Sequence, residues 1–403
     1  MKKTLIFLAV ALASVGCTKT TVVSDNAGNS DRSLGFSAFT HKSMTKGSID
    51  DLERIEAART QYIMQSYQMT TVYADAGSIA KPFFQANFGY GLNTVDYPND
   101  WNTENTRYWP KETVTENGIV ATNSLSFFTF GPASATITYN QNNYSGHLDR
   151  TFPTLTVTVA DNNAEQLDIL AAMTEFKTYS ADLTGPDANK VDIDYNHILS
   201  AVTFAANTKD TVVFHIKEIK VGVKPQVTDT IDVLLPTGTY GFKADNAKGE
   251  WTGQTGTPKS YEVGLKEYPE SDGFVPVDST DHSANVVINA DDQVLLLIPQ
   301  KIEEEGAYFA VTYEVYDNEG TLLDAEITKC APLFATKLPE WLTGKKYNYI
   351  FTLRRDINHP IEYTVQVEDW EEQDVIEQFE GQYISDRDLP VYVDGGDEFD
   401  TDW

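Results

Sequence analysis

The side chains with reactive potential are six histidines (His41, His147, His197, His215, His282 and His359), two cysteines (Cys17 and Cys330) and an excess of carboxylates, 60 Asp and Glu against 30 Lys and Arg in 403 residues. No two histidines form an H-E-x-x-H pair, and none stands at metal-ligand spacing from a cysteine. His197, in Tyr195-Asn-His-Ile-Leu-Ser200, reads as a packed or turn-capping histidine between strands. A G-x-S-x-G elbow, a P-loop and a dinucleotide fingerprint are all missing. Carboxylates are so numerous that no two of them single themselves out as an acid–base pair. The sequence therefore predicts no enzyme, no metal and no cofactor. Two clusters could still bind something. Asp394, Asp397, Glu398, Asp400 and Asp402 supply oxygen ligands of the kind calcium uses, but without the spacing of an EF-hand loop, and they read as a solvated acidic tail. Tyr97, Trp101, Tyr108 and Trp109 gather in a loop-rich stretch. They serve either as edge-of-core packing or, through Trp101 and Trp109, as stacking platforms for sugar rings. That second use defines a rival reading, a monomeric glycan-binding surface lipoprotein.

The net charge of −30 bears on partners. A phosphate backbone is bound by clustered Lys and Arg that displace its counterions, so nucleic acid is excluded as a partner. Anionic lipid surfaces are repelled for the same reason. Membrane attachment, if present, has to come from elsewhere, and residues 1–17 offer it. Lys2 and Lys3 precede the apolar run Leu5 to Ala13, and Ser14-Val15-Gly16 is a small-residue site directly before Cys17. Nine apolar residues are too few for a bilayer core, which takes about 20 as a helix, so residues 1–16 read as a cleaved signal. Gly16-Cys17 resembles the end of a bacterial lipoprotein signal, with Ser14 where such signals usually place Leu. On that reading Cys17 carries lipid and holds the protein at the outer membrane. Cys330 is then left without a disulfide partner.

These residues must be positioned by short strands. Residues 17–33 are rich in Thr, Ser, Asn, Asp and Gly and form a tether. Leu34 and Phe36 begin an alternating strand. From Ser48 to Met69 the spacing of Ile49, Leu52, Ile55, Tyr62 and Ile63 predicts the chain's one N-terminal helix. Beyond Thr70 come short β-branched and aromatic runs separated by Gly, Pro, Asn and Asp. Many strands without alternating helices predict an all-β protein of two tandem antiparallel β-sandwich domains. The turn cluster Gly185 to Asn189 sets the expected division into residues 34–187 and 188–370. Residues 371–403 form an acidic tail, twelve Asp and Glu against the single Arg387, with the strand-compatible run Leu389-Pro-Val391-Tyr-Val393 inside it.

Several segments in this order resemble the fimbrillin family of Bacteroidetes, the Mfa-like and FimA-like subunits of type V pili. They are Phe36-Ser-Ala-Phe39 followed by Thr45-Lys46-Gly47; Tyr108-Trp-Pro110; and Leu125-Ser-Phe-Phe-Thr-Phe-Gly-Pro132, similar to the family's "FFAYYP" strand. Tyr195-Asn-His-Ile-Leu-Ser200 is similar to "FxHALS", and Leu295-Leu-Leu-Ile-Pro-Gln300 to "LLxIPQ". Trp341-Leu-Thr-Gly-Lys345, Tyr347-Asn-Tyr-Ile-Phe351 and Val367-Glu-Asp-Trp370 resemble its closing strands. The resemblance implies transthyretin-like sandwiches, export as a lipoprotein, removal of the N-terminal strand by a trypsin-like protease, and assembly with other pilin subunits by donor-strand insertion into an adhesive cell-surface fimbria. By motif position the cleaved residue is Lys46, with Arg54 and Arg59 as rivals; uncleaved, the chain stays anchored through Cys17. The tail strand, with Leu389, Val391 and Val393 facing one way, is either the donor or part of a plain acidic extension. Pro390 counts against the donor reading because it forfeits a ladder hydrogen bond.

Overall fold

The computed structural model describes residues 32–40, 52–70, 81–111, 113–116, 119–140, 152–183, 189–226, 229–243, 246–269, 273–278, 285–290, 293–334, 338–369, 377–380 and 392–393. Described residues before 200 form strands β1 (Phe36–Thr40), β2 (Tyr62–Thr70), β3 (Lys81–Tyr90), β4 (Trp101–Thr103), β5 (Thr113–Glu116), β6 (Ile119–Gly131), β7 (Ile137–Asn140), β8 (Thr154–Thr158), β9 (Leu170–Met173) and β10 (Val191–His197), with helix α1 (Leu52–Ala58) between the first two. Next come β11 (Ser200–Thr208), β12 (Val213–Pro225), β13 (Thr230–Asp232), β14 (Thr237–Lys243), β15 (Asn246–Thr255), β16 (Tyr261–Glu262), β17 (Val275–Val277), β18 (Val286–Val287) and β19 (Leu295–Leu297). The chain continues through β20 (Tyr308–Tyr316), β21 (Leu322–Pro332), β22 (Lys345–Leu353), β23 (Glu362–Asp369), β24 (Glu377–Glu380) and β25 (Tyr392–Val393).

The first sheet closes on itself. Its order is β2-β3-β4-β1-β10-β9-β6, and β2 pairs back onto β6 from Ile63↔Phe130 to Thr70↔Asn123, with β5 appended to β6. Period-2 alternation explains why these strands roll up. In β10 the residues Val191, Ile193, Tyr195 and His197 are buried while Asp192 and Asp194 face out. In β6, Leu125 and Phe127 point into the barrel while Phe128 and Phe130 point outward. The barrel is filled largely by aromatic rings, and among them Thr129 Oγ1 and Tyr195 Oη lie 2.9 Å apart.

The outward rings of β6 are covered by a second, four-stranded sheet of order β15-β14-β8-β7, where Phe128 meets Tyr139 at a tilt and Phe242 edge-on, at 5.7 and 5.6 Å. The remaining strands make two sheets, β18-β11-β22-β23-β24 with β19 on β11, and β13-β12-β20-β21-β25 with β16 and β17 on β12. Phe204 and Phe309, one from each sheet, pack at 5.4 Å in the core between them.

Three expectations need correction. The pairing is not wholly antiparallel, because β1 runs parallel to β10 and β11 parallel to β22. The helix does not extend to Met69. It ends at Ala58, Arg59 takes φ 51°, and Tyr62–Thr70 is strand β2. From Tyr62 onward Tyr62, Met64 and Ser66 all enter the barrel, a period of two that pairing on both flanks enforces over the weaker 3.6-residue pattern. Finally, three strand pairings cross the expected division at 187/188. β10 pairs with β1 and β9, and β14 pairs with β8 over five residues.

Candidate functional site: the slot of strand β1

Strand β1 is a short segment inserted between two others. On one side Phe36 to Thr40 pair in parallel with Val191 to Tyr195; on the other Phe36 alone faces Trp101 of β4. Ahead of the strand, Ser33 bridges Tyr108, with Leu34 N donating to Arg107 O at 2.7 Å and Trp109 N to Arg32 O at 2.8 Å. Leu34, Phe36 and Ala38 point inward and are buried, whereas Phe39 is half exposed. The Phe36 ring sits edge-on to Phe88 and Phe127 at 5.2 and 5.3 Å. Arg32 closes the entry to the slot. Its guanidinium lies 4.2 Å from the centre of the Tyr179 ring and donates to the Pro110 carbonyl.

Taking β1 away would uncover a row of backbone donors and acceptors on β10 and three apolar pockets. Net backbone hydrogen bonds contribute about 1 kcal/mol each, and full burial of a Leu or Phe side chain about 1.5–3 kcal/mol. A refilled slot is therefore strongly favoured over an empty one. An unpaired edge over apolar pockets is a template for another strand.

Trp101 and Trp109 are walls of this slot, 5% exposed each. Trp101 Nε1 donates to Glu56 Oε1 at 2.7 Å and so fastens α1 over the barrel; Trp109 packs against Phe127 and Tyr179. Neither offers a face to a sugar, and the expectation that they act as glycan platforms is corrected: the pairing of Trp101 with Phe36 and Tyr90, and the Ser33–Tyr108 bridge beside Trp109, hold both rings in the core.

The fimbrillin-like family model matches residues 68–370, most of the chain. The chain belongs to the fimbrillin-like family. Solved structures with a similar fold include a fimbrial protein of Bacteroides vulgatus, with 14% identity over 84% of this chain and 99% of that one, at a TM-score of 0.58. A more distant match, at a TM-score of only 0.30, is the C-terminally truncated tip fimbrial protein Mfa3 of Porphyromonas gingivalis, with 8% identity over 77% of this chain and 94% of that one. No curated protein is a significant match to the chain.

The other residues singled out in this fimbrillin-like chain lie as follows. Cys17, Lys46, Leu389, Val391 and the acidic group Asp394 to Asp402 fall outside the described residues. Arg54 is exposed on α1, and Arg59 follows its last turn. Ile55 of the same helix is fully buried in the barrel. Val393 belongs to β25, which pairs with Ile327 and Thr328 at the edge of β21, and β24 pairs with the edge of β23. Cys330 is buried, and burial pushes its thiol up to about 11, so it is inert.

Sequence reasoning overlooked three groups. Arg32 and Tyr179 fell in a presumed tether and a featureless stretch, and nothing local marks a cation–π pair so distant in sequence. His197 is buried at the end of β10, as a packed histidine should be; the group missed there is Asp168, just ahead of β9, whose Oδ2 lies 2.8 Å from His197 Nδ1. Third, Lys329 of β21 donates to the carbonyls of Asp356 and His359 at 3.0 and 2.9 Å, and burial lowers its ammonium to about 8. Both the His197–Asp168 pair and Lys329 bind strand to neighbouring segment.

Proposed function

We propose that this chain is a structural subunit of a cell-surface fimbria that assembles by strand exchange. A trypsin-like protease removes β1, and a strand from another subunit fills the slot. The observation that carries this reading is the mounting of β1, a five-residue stave between β4 and β10 whose inward apolar side chains fill the barrel core. Lys46 lies between Thr40, where β1 ends, and Leu52, where α1 begins. A cut after Lys46 frees β1 and keeps α1 with its buried Ile55 and its bond from Trp101. A cut after Arg59 would remove Ile55 and Glu56 altogether, and one after Arg54 would split α1 and leave Ile55 as a charged chain end, which favours Lys46 as the processed residue.

On this reading the barrel, completed by β10, and the sandwich that begins with β11 correspond to the two transthyretin-like units. Lipid on Cys17 holds the unprocessed chain at the outer membrane, and the tail strand Leu389–Val393 is the donor. The role is assembly and adhesion, without catalysis.

Limited trypsin treatment of the purified chain tests this. N-terminal sequencing should give Gly47 first, followed by SDS-resistant ladders, and removing residues 385–403 should abolish the ladders while the monomer's melting stays unchanged. A product beginning at Ile55 or Thr60 moves the cleavage site, and ladders that survive the deletion place the donor elsewhere.

A further inference from the structure

We infer that the donor strand enters the slot in one fixed register, set by Arg387, which takes the place of Arg32 on the Tyr179 ring. This deepens the strand-exchange reading and rests on it. Residues 32–38 read Arg-Ser-Leu-Gly-Phe-Ser-Ala, and residues 387–393 read Arg-Asp-Leu-Pro-Val-Tyr-Val. Both carry an arginine followed at steps of two by three apolar residues, and Arg-x-Leu is common to both. In the first segment Arg32 lies on Tyr179 and Leu34, Phe36 and Ala38 fill the barrel. Overlaying the two puts Arg387 at the Tyr179 ring and the Pro110 carbonyl, Leu389 in the Leu34 pocket, Val391 in place of Phe36 and Val393 in place of Ala38. A cut after Lys46 carries Arg32 away with β1, leaving the Tyr179 face and the Pro110 carbonyl for another guanidinium. Arg387 is the single cation of residues 371–403, so the socket can select only one register from this tail.

Pro390 supports the same alignment. It falls at Gly35, whose carbonyl accepts from Val191 N at 2.9 Å but whose N–H makes no hydrogen bond among the described residues. A proline there forfeits nothing in the ladder. Its Cβ would lie 3.1 Å from Cγ of Lys190, a side-chain stem that must shift by a few tenths of an ångström. The match ends at Val393, one residue before Asp394 would face Asp194 across the pair that Phe39 now makes. The incoming strand runs parallel to β10, as β1 does. The two-residue pairing of β25 with β21 has to be given up for the exchange.

Cysteine pairs read the register directly. Ser37 is opposite Asp192, and Phe39 opposite Asp194. Trypsin-treated full-length chain carrying Tyr392→Cys and Asp192→Cys should give multimers that survive boiling in SDS and collapse on reduction; Tyr392→Cys with Asp194→Cys should not. Arg387→Ala should slow ladder formation about tenfold, as expected for a lost cation–π contact and hydrogen bond, and Arg387→Lys by less. Tyr179→Leu should slow it equally and add nothing to Arg387→Ala. Its melting before cleavage shows whether it folds, and the cross-link does not depend on that variant. Cross-linking at 194 instead of 192, or Arg387→Ala ladders at the unaltered rate, overturns the register. Absence of ladders from the unaltered chain overturns strand exchange itself, which is a separate result.

Discussion

Phe36 decides how firmly the slot is filled. It is 2% exposed and held edge-on between two phenylalanines, so Phe36→Ala should cost about 3–5 kcal/mol. The expected outcome is a lower melting temperature and faster release of β1 by trypsin, seen as earlier appearance of the product beginning at Gly47. An unchanged cleavage rate would mean that release is limited by access to Lys46 and not by the hold on β1. The same pocket makes a prediction for the donor. In the proposed register Val391 is smaller than the phenyl ring it would replace and would leave part of the pocket empty. Val391→Phe should therefore give polymers that resist SDS at higher temperature than the unaltered ones, with the monomer's melting unchanged; equal resistance would show that position 391 does not reach this pocket. Trp101 and Trp109 show the limit of reading single residues. Their types suit stacking on sugars equally well, and only the pairing of β4 and the Ser33–Tyr108 bridge, with partners far away in sequence, turn them inward.

Strand β1 is held by side chains at alternate positions, by its ladder to β10 and by the single pairing of Phe36 with Trp101, and on the strand-exchange reading it is separable. A chain beginning at Gly47 should accordingly bind a synthetic peptide of residues 30–40. Its melting temperature should rise with peptide concentration, as mass action requires, and the ladders should be suppressed. A peptide with Phe36→Asp should do neither, and failure of the unaltered peptide would show that β1 is integral to the barrel. The alternation of Leu34 and Phe36 made this strand legible in the sequence, as did the apolar runs of β11, β20 and β22. The end of α1 was not legible, since Tyr62 and Ile63 fit a helical face as well as a strand until β3 and β6 are seen pairing on both sides. Closure of the barrel was equally hidden. It rests on β2 meeting β6 some sixty residues away, and on Gly131, where a Cβ would lie 2.6 Å from the Tyr62 ring. The likeness of residues 387–393 to 32–38 was present in the sequence throughout. It acquires meaning only once the slot shows which positions face inward and that Arg32 has a socket.

The molecule is a barrel and a sandwich sewn together by β10 and by the four-stranded sheet, so a cut between residues 183 and 189 should leave the two pieces co-eluting under native conditions, whereas separation would show that each half stands alone. Its response to alkali follows from what fills these cores. Burial raises the phenol of Tyr195 in the barrel, and burial likewise raises Tyr261, Tyr313, Tyr347, Tyr349 and Tyr363 in the rest of the molecule, all well above the ordinary tyrosine range. The folded state binds these protons more tightly than the unfolded state does. Their contribution is therefore complete below the unfolded tyrosine value of about 10 and is lost as pH climbs beyond it. With several such groups acting together, unfolding above pH 10 should be steep, and tyrosinate absorbance near 295 nm should rise together with the loss of circular dichroism. The net charge of −30 also disfavours the compact state at high pH. Salt separates the two causes: at 1 M the Debye length falls to about 3 Å, which suppresses charge repulsion but leaves the burial of the phenols untouched. A transition that stays near pH 10 at high salt marks the tyrosines as its cause, and one that disappears assigns it to the acidic surface.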